Sequence, residues 1–356
     1  MPIQQMLLGA GAGGGPDLDD VFSIDTYTGN ESNRSITTGL NMSGLGGFTW
    51  IKVYESGVNS KEHMLFNTAM GANKFIQISD PNASNGVITN NKTLTSFNSD
   101  GFSLGTDNSG TKSGHVNHSG SDTVAYSFVN QDKFFKLVTW TGNGNTDGQV
   151  ITHGLGSTPG FIACRSMSTS SGRDFVCFHD KTNNSNYLRL NKTHSRMSYP
   201  NWAVGSTTFT ARHSITDTAS LNTNGEEYFA LVFGDESGGG SFGSTGDKKR
   251  IVVGDYNGNN SSNGPTVNLG FKPGFLIVKR GTDQQYSGKW FVYDHVRGLN
   301  YPTSGNNNSL ELPNDSPQSG MNGFNITDTG FQVNTWSDTW NTAGKQYVYI
   351  AMPIST

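Results

Sequence analysis

The carboxylates, imidazoles, thiols and cations of this 356-residue chain are scattered, and few stand at spacings that reactions use. Glu226 and Glu227 form an adjacent carboxylate pair. Neighbours on a strand point to opposite faces and cannot share one substrate bond, so they read as a polar turn. Asp17-Leu18-Asp19-Asp20 is acidic but lacks the Asp-x-Asp-Gly of a calcium loop, and it also reads as a polar turn. His63, His115, His118, His153, His179, His194, His213 and His295 form no local ligand set at metal spacing. Gly11-Ala12-Gly13-Gly14-Gly15 follows no strand and opens no helix, so it fails the context of a dinucleotide loop. The Ser nucleophile elbow, the phosphate loop and the His-Glu-x-x-His zinc pattern are absent. The expectation is a protein with no catalytic residue, no cofactor and no metal.

Two sets of residues have types and positions suited to binding. Lys52, Arg165 and Lys279 each end an apolar run, where solvation at a sheet edge is the simple reading and a shared anion site the alternative. The second set lies in loops of unequal length: Lys112 and His115, then Arg212 and His213, then Trp336 and Trp340. A constant scaffold with one variable corner is how sandwich proteins carry recognition, so these six residues are the candidate binding positions. The two tryptophans have the chemistry for a sugar ring or another subunit, with packing onto their own sandwich as the plainer alternative.

What positions these loops is a threefold repeat. An opening turn recurs as Tyr27-Thr28-Gly29-Asn30, Trp140-Thr141-Gly142-Asn143 and Tyr256-Asn257-Gly258-Asn259. A closing turn and aromatic strand recur after Asn117, Asn222 and Asn341, each followed three residues later by Gly120, Gly225 or Gly344. Solenoid and propeller periods of roughly 20 to 50 residues are too short for this spacing, which suits a small domain of about 100 residues. Short β-rich segments between turns predict an all-β protein of three tandem antiparallel β-sandwich (jelly-roll-like) repeats: 21–131, 135–234 and 249–353. An extended N-terminal arm, 1–20, is too Gly-rich to fold alone and is expected to order against a neighbouring subunit. The Gly/Ser-rich stretch 235–248 reads as a flexible linker that frees the third repeat to move.

Composition sets the outer bounds. The 46 glycines, roughly 13% against about 7% on average, favour turns over long helices. A net charge of −4 offers no basic footprint for nucleic acid and no polybasic membrane patch. Cys164 and Cys177 align with Val278 and with Leu65 and Val292, so they read as small buried hydrophobes and not as a disulfide. The opening residues lack a basic n-region and a long apolar run, as neither a signal peptide nor a membrane span would.

The opening Met1-Pro2-Ile3-Gln4-Gln5-Met6-Leu7-Leu8-Gly9, Asp20-Val21-Phe22-Ser23, Gly46-Gly47-Phe48-Thr49-Trp50-Ile51-Lys52 and the closing Asn-x-x-Gly-x-x-Tyr strands resemble virion structural proteins of tailed bacteriophages, marine cyanophage-like ones above all. The resemblance covers nearly the whole chain and carries no active residue. It implies a tail-fibre or tail-associated protein made in the host cytoplasm and built into the virion. Residues 1–20 would contact other virion subunits, the chain would form a homo-oligomer (a trimer by phage analogy), and the loops would meet a host-surface glycan. Capsid decoration, a tail polysaccharide-degrading enzyme and a carbohydrate-binding module are the alternatives.

Overall fold

A computed structural model describes residues 15–55, 61–79, 86–107, 115–168, 173–194, 196–198, 202–213, 218–243, 245–282, 288–299, 307–321, 323–335, 337 and 339–354. The strands fall into three sets with one topology. In the first, a six-stranded antiparallel sheet runs Phe22–Thr28, Asp122–Val129, Gly47–Val53, Met64–Asn67, Lys74–Gln77, Ile88–Thr89, with a smaller sheet of Arg34–Thr37, Gly101–Leu104 and Leu94–Asn98. The second repeats that order as Phe135–Thr141, Glu227–Phe233, Phe161–Ser166, Val176–His179, Asn186–Arg189, Met197–Ser198, above Gln149–Thr152 and Thr208–Ala211. The third runs Val252–Asn257, Gln346–Pro353, Pro273–Arg280, Trp290–Asp294, Asn307–Leu312, Ser319–Met321, above Thr266–Asn268, Gly330–Val333 and Phe324–Thr327. The protein is therefore an all-β sandwich fold. Its one α-helix among the described residues is the single turn Met42–Leu45, and no helix there is long and apolar enough to cross a membrane.

Period-two alternation explains how each large sheet is used. In the strand Phe161–Ser166, Ile162 and Cys164 face the small sheet of their own unit, whereas Phe161 and Ala163 face a core shared by all three units. The same split places Leu276 and Val278 inward to the third sandwich, and Phe275 and Ile277 in the shared core. Both faces of these sheets are covered, which is why the strands read as near-continuous apolar runs. In the shared core Phe48 meets Phe135 at 5.2 Å, Phe22 meets Phe275 at 5.5 Å and Phe161 meets Trp290 at 6.0 Å, pairs that join units one and two, one and three, and two and three. Each such pair adds about 0.5–1.5 kcal/mol beyond the area it buries.

The repeated turns are clasps inside each unit. Tyr27 Oη donates to Val116 O at 2.6 Å, Trp140 Nε1 to Leu221 O at 3.0 Å and Tyr256 Oη to Trp340 O at 2.9 Å. The fully buried Asn117, Asn222 and Asn341 then accept the backbone N–H of Asn30, Asn143 and Asn259 at 3.1, 2.9 and 2.8 Å. The glycine between them is obligatory: a Cβ on Gly142 would stand 2.2 Å from Thr223 O, and Gly29 and Gly258 are as tight at 2.1 and 2.2 Å.

Two expectations fail here. The 235–248 stretch is not a free coil. Glu236 and Arg250 are buried and paired at 3.0 Å, Ser241 Oγ donates to Glu236 at 2.6 Å, and Phe242 bridges Lys248 and Gly15. Gly/Ser composition permits a coil, but a buried ion pair and an aromatic anchor supply what composition does not show. Within the arm, residues 15–20 dock on their own chain, where Leu18 enters the shared core. Residues 1–14 lie outside the described set.

Candidate functional site

Of the six candidate binding residues, Lys112 and Trp336 lie outside the described residues. Trp340 is not a surface aromatic. It is 2% exposed and packs on Phe291 at 4.0 Å and Phe324 at 5.3 Å, because its place just before Asn341 puts it under the clasp. His115 is also buried, with its ring 5.1 Å from that of His118. Arg212 and His213 remain partly exposed: Arg212 donates to Asp147 O at 2.6 Å and His213 Nδ1 meets Ser220 Oγ at 3.2 Å. The described loop residues thus divide into those that seal the sandwich end and, in the second unit, a polar pair at the surface.

The corner of the first unit holds a perturbed carboxyl. Burial pushes Asp107 up to about 7, against the N–H groups of Val116 and Asn117 that it accepts at 2.5 and 2.7 Å. Its work is to shape the loop that ends at Asn117. In the second unit Glu226 receives Arg173 at 2.9 Å, Ser166 at 2.5 Å and Tyr228 at 2.9 Å, while Glu227 binds Thr141 at 2.5 Å. The two carboxylates serve separate networks, as their alternation on the chain requires. Cys164 and Cys177 are free and buried, and burial raises both thiols. Among the described residues no group of three or more His, Cys, Asp or Glu is placed to hold a metal ion.

The repeating cations are where the structure departs most from expectation. Lys52, Arg165 and Lys279 are 0%, 1% and 0% exposed, so neither a solvated sheet edge nor an open anion site describes them. Each lies four residues after Phe48, Phe161 or Phe275, hence on the same face as the shared core. Lys52 Nζ donates to Val53 O at 2.8 Å, Lys61 O at 2.7 Å and, across the boundary between units, Asp315 O at 3.0 Å. These acceptors match the three donors of an ammonium. Lys279 Nζ reaches Gly288 O and, in the second unit, Lys192 O at 3.4 Å. The Arg165 guanidinium lies over Phe175 at 4.9 Å. Burial pulls both lysines down to about 7, with the charges of Asp315 and Glu62 opposing the shift at Lys52 and Cys177 opposing it at Lys279.

The end of the fifth strand, or the segment between it and the sixth, reaches the cradle of the next unit in every case. Val87 N donates to Ser168 O at 3.1 Å, Trp290 Nε1 to Arg189 O at 2.8 Å, and Gln318 N to Tyr54 O at 3.0 Å. The first unit thus straps the second, the second the third, and the third the first, closing a ring. A buried Arg297–Asp294 pair at 2.6 Å, with Tyr126 Oη donating to Asp294 at 2.6 Å, reinforces the last junction. The spacing from Phe to cation was the signal for these residues; alternation gives a shared face, but not what covers it.

Two depressions on the surface of the described residues are large enough for a ligand. One of about 410 Å³ lies between Asp17, Asp19, Phe242, Lys248, Lys249 and Phe271. Another of about 650 Å³ is open and polar, over Arg34, Ser35, Thr95, Ser96 and Ser103 of the first small sheet. Residues 17–353 match the family described as Domain of unknown function (DUF7483), and the chain belongs to that family. No curated protein and no solved structure matches it.

Proposed function

We propose that the protein is a non-enzymatic virion structural protein of a tailed phage, a tail fibre or tail-associated subunit that contributes to assembly and host-surface attachment. The observation that carries this reading is the use made of the recurring residues. The Asn and Gly of the turns hold the clasps, and the apolar runs with their cations hold the ring. The repeated skeleton is spent on the scaffold, and recognition is left to the unlike loops before Asn117, Asn222 and Asn341, where Arg212 and His213 reach the surface. The resemblance of the opening and closing segments to phage virion proteins points the same way.

In this reading, attachment to other virion subunits runs through the arm, and its anchoring part is the segment before Gly15, since Leu18 is spent on the protein's own core. A homo-oligomer would use outer surfaces, because the sheet faces that could make a trimer already meet within one chain. Capsid decoration is the second reading, favoured by the ring itself: a closed knob of pseudo-threefold symmetry suits a threefold position on a shell. The test is removal of residues 1–14 followed by particle assembly and electron microscopy. The expected result is an unchanged melting temperature with loss of the protein's density from the particle, whose position in the intact virion separates tail from capsid. Normal incorporation of the truncated chain rejects the anchor, and release of reducing sugar from host polysaccharide rejects the non-enzymatic reading.

A further inference from the structure

The three large sheets meet around an apolar pocket, and one small side chain accounts for it. Two residues beyond Phe48, Phe161 and Phe275 the third strand of each unit carries Trp50, Ala163 and Ile277, paired across the sheet with Tyr126, Leu231 and Ile350. Two units fill that axial position with a large side chain; the second supplies a methyl group. The space left measures about 60 Å³ and is lined by apolar residues of all three units, among them Phe48, Phe161, Ala163, Phe275 and Met352.

We propose that this pocket is a binding site for a compact apolar guest, of the size of a rare-gas atom or a very small hydrocarbon. Its volume exceeds the roughly 10–15 Å³ that one water needs, yet water also needs two to four polar partners, and the lining side chains offer none toward the space. Engineered apolar cavities of about 150 Å³ stay dry and take benzene or xenon. This pocket is less than half that size, so its chemistry is the same but its selectivity is narrower. Aromatic rings and a thioether surround the guest with polarisable atoms, whose dispersion contacts are individually small and collectively large. Because every unit contributes to the wall, a guest binds only the closed ring and stabilises it by mass action.

The test uses the full chain and two probes, xenon and benzene. Xenon-129 NMR is expected to show saturable binding to the native protein, and benzene is expected to leave its melting temperature unchanged. Ala163→Ile, which places in the second unit the residue the third already has, should abolish the xenon response while the protein stays folded. Absence of saturable xenon binding to the native chain overturns the proposal, and so does undiminished binding in folded Ala163→Ile. If Ala163→Ile does not fold, Ile277→Ala decides: enlarging the pocket should admit benzene and raise the melting temperature in its presence, and a folded variant indifferent to benzene overturns the proposal.

Discussion

Replacing Asn222 with Ala separates a ring from three independent sandwiches. Asn222 is fully buried; it accepts Asn143 N at 2.9 Å and donates to Asn143 Oδ1 at 2.8 Å and Asn145 O at 3.0 Å. Alanine removes all three bonds, at about 1 kcal/mol each, so the destabilisation is about 3 kcal/mol. What that does to melting depends on the size of the cooperative unit. Unfolding entropy is about 2.1 cal/mol/K per residue, or roughly 0.7 kcal/mol/K for some 340 residues acting together and 0.2 for about 100. A closed ring therefore predicts one calorimetric transition moved down by about 4 °C with all of its heat. Independent sandwiches predict that about a third of the heat moves down by some 15 °C while the rest stays. The shared core, the straps and the buried Arg297–Asp294 pair commit the protein to the first outcome. A split endotherm with only one part displaced refutes the ring as a cooperative unit.

Lys52→Met tests the buried cradle through pH. The folded lysine has its pKa depressed to about 7 while the unfolded one keeps the ordinary lysine value of 10.5, so between these values unfolding takes up a proton and stability rises with pH. Urea denaturation from pH 7 to 10 should show the native protein gaining about 1.4 kcal/mol per pH unit relative to the Met variant, and parallel profiles would refute the lowered pKa of the buried lysine. Trp340→Ala should cost about 3–5 kcal/mol by circular-dichroism melting, whereas Arg212→Ala with His213→Ala should shift stability by less than about 1 kcal/mol and weaken attachment to host cells. An unchanged melting temperature for Trp340→Ala would return that residue to the surface.

The sandwich class and the clasps were legible in the sequence because period and residue type act locally. Tyr27, Trp140 and Tyr256, each before a Gly, and Asn117, Asn222 and Asn341, each before another, describe turns whose geometry few other residues allow. Cys164 and Cys177 were readable as core from the Val and Leu at equivalent positions, and both are buried. What covers the second face of each sheet was not readable. Lys52, Arg165 and Lys279 share a face with Phe48, Phe161 and Phe275 by simple alternation, but a cation at a strand end looks the same whether water or another unit lies beyond it. Trp340 misled for a related reason: a polar, variable loop suggested exposure, while the residue next to Asn341 is drawn in by the clasp. Glu236 and Arg250 lie 14 residues apart, and no local pattern announces their pairing across a Gly-rich stretch.

Joining the three units in one chain changes what their axial positions can hold. In a symmetric trimer of identical subunits each residue on the axis appears three times, so a large side chain there meets two copies of itself and a small one leaves three voids. Here the axial sites carry Trp50, Ala163 and Ile277 on one strand, and Leu65, Cys177 and Val292 on the next. The unlike sizes leave one opening, beside Ala163, where a threefold set of equals would leave three or none. Gly29, Gly142 and Gly258 with Asn117, Asn222 and Asn341 stay alike and have their partners within a single unit, whereas Phe48, Phe161 and Phe275 stay alike where the units meet. Covalent linkage thus permits divergence where the units meet, as at Trp50, Ala163 and Ile277, and leaves untouched the local geometry of the clasp that each unit must satisfy alone.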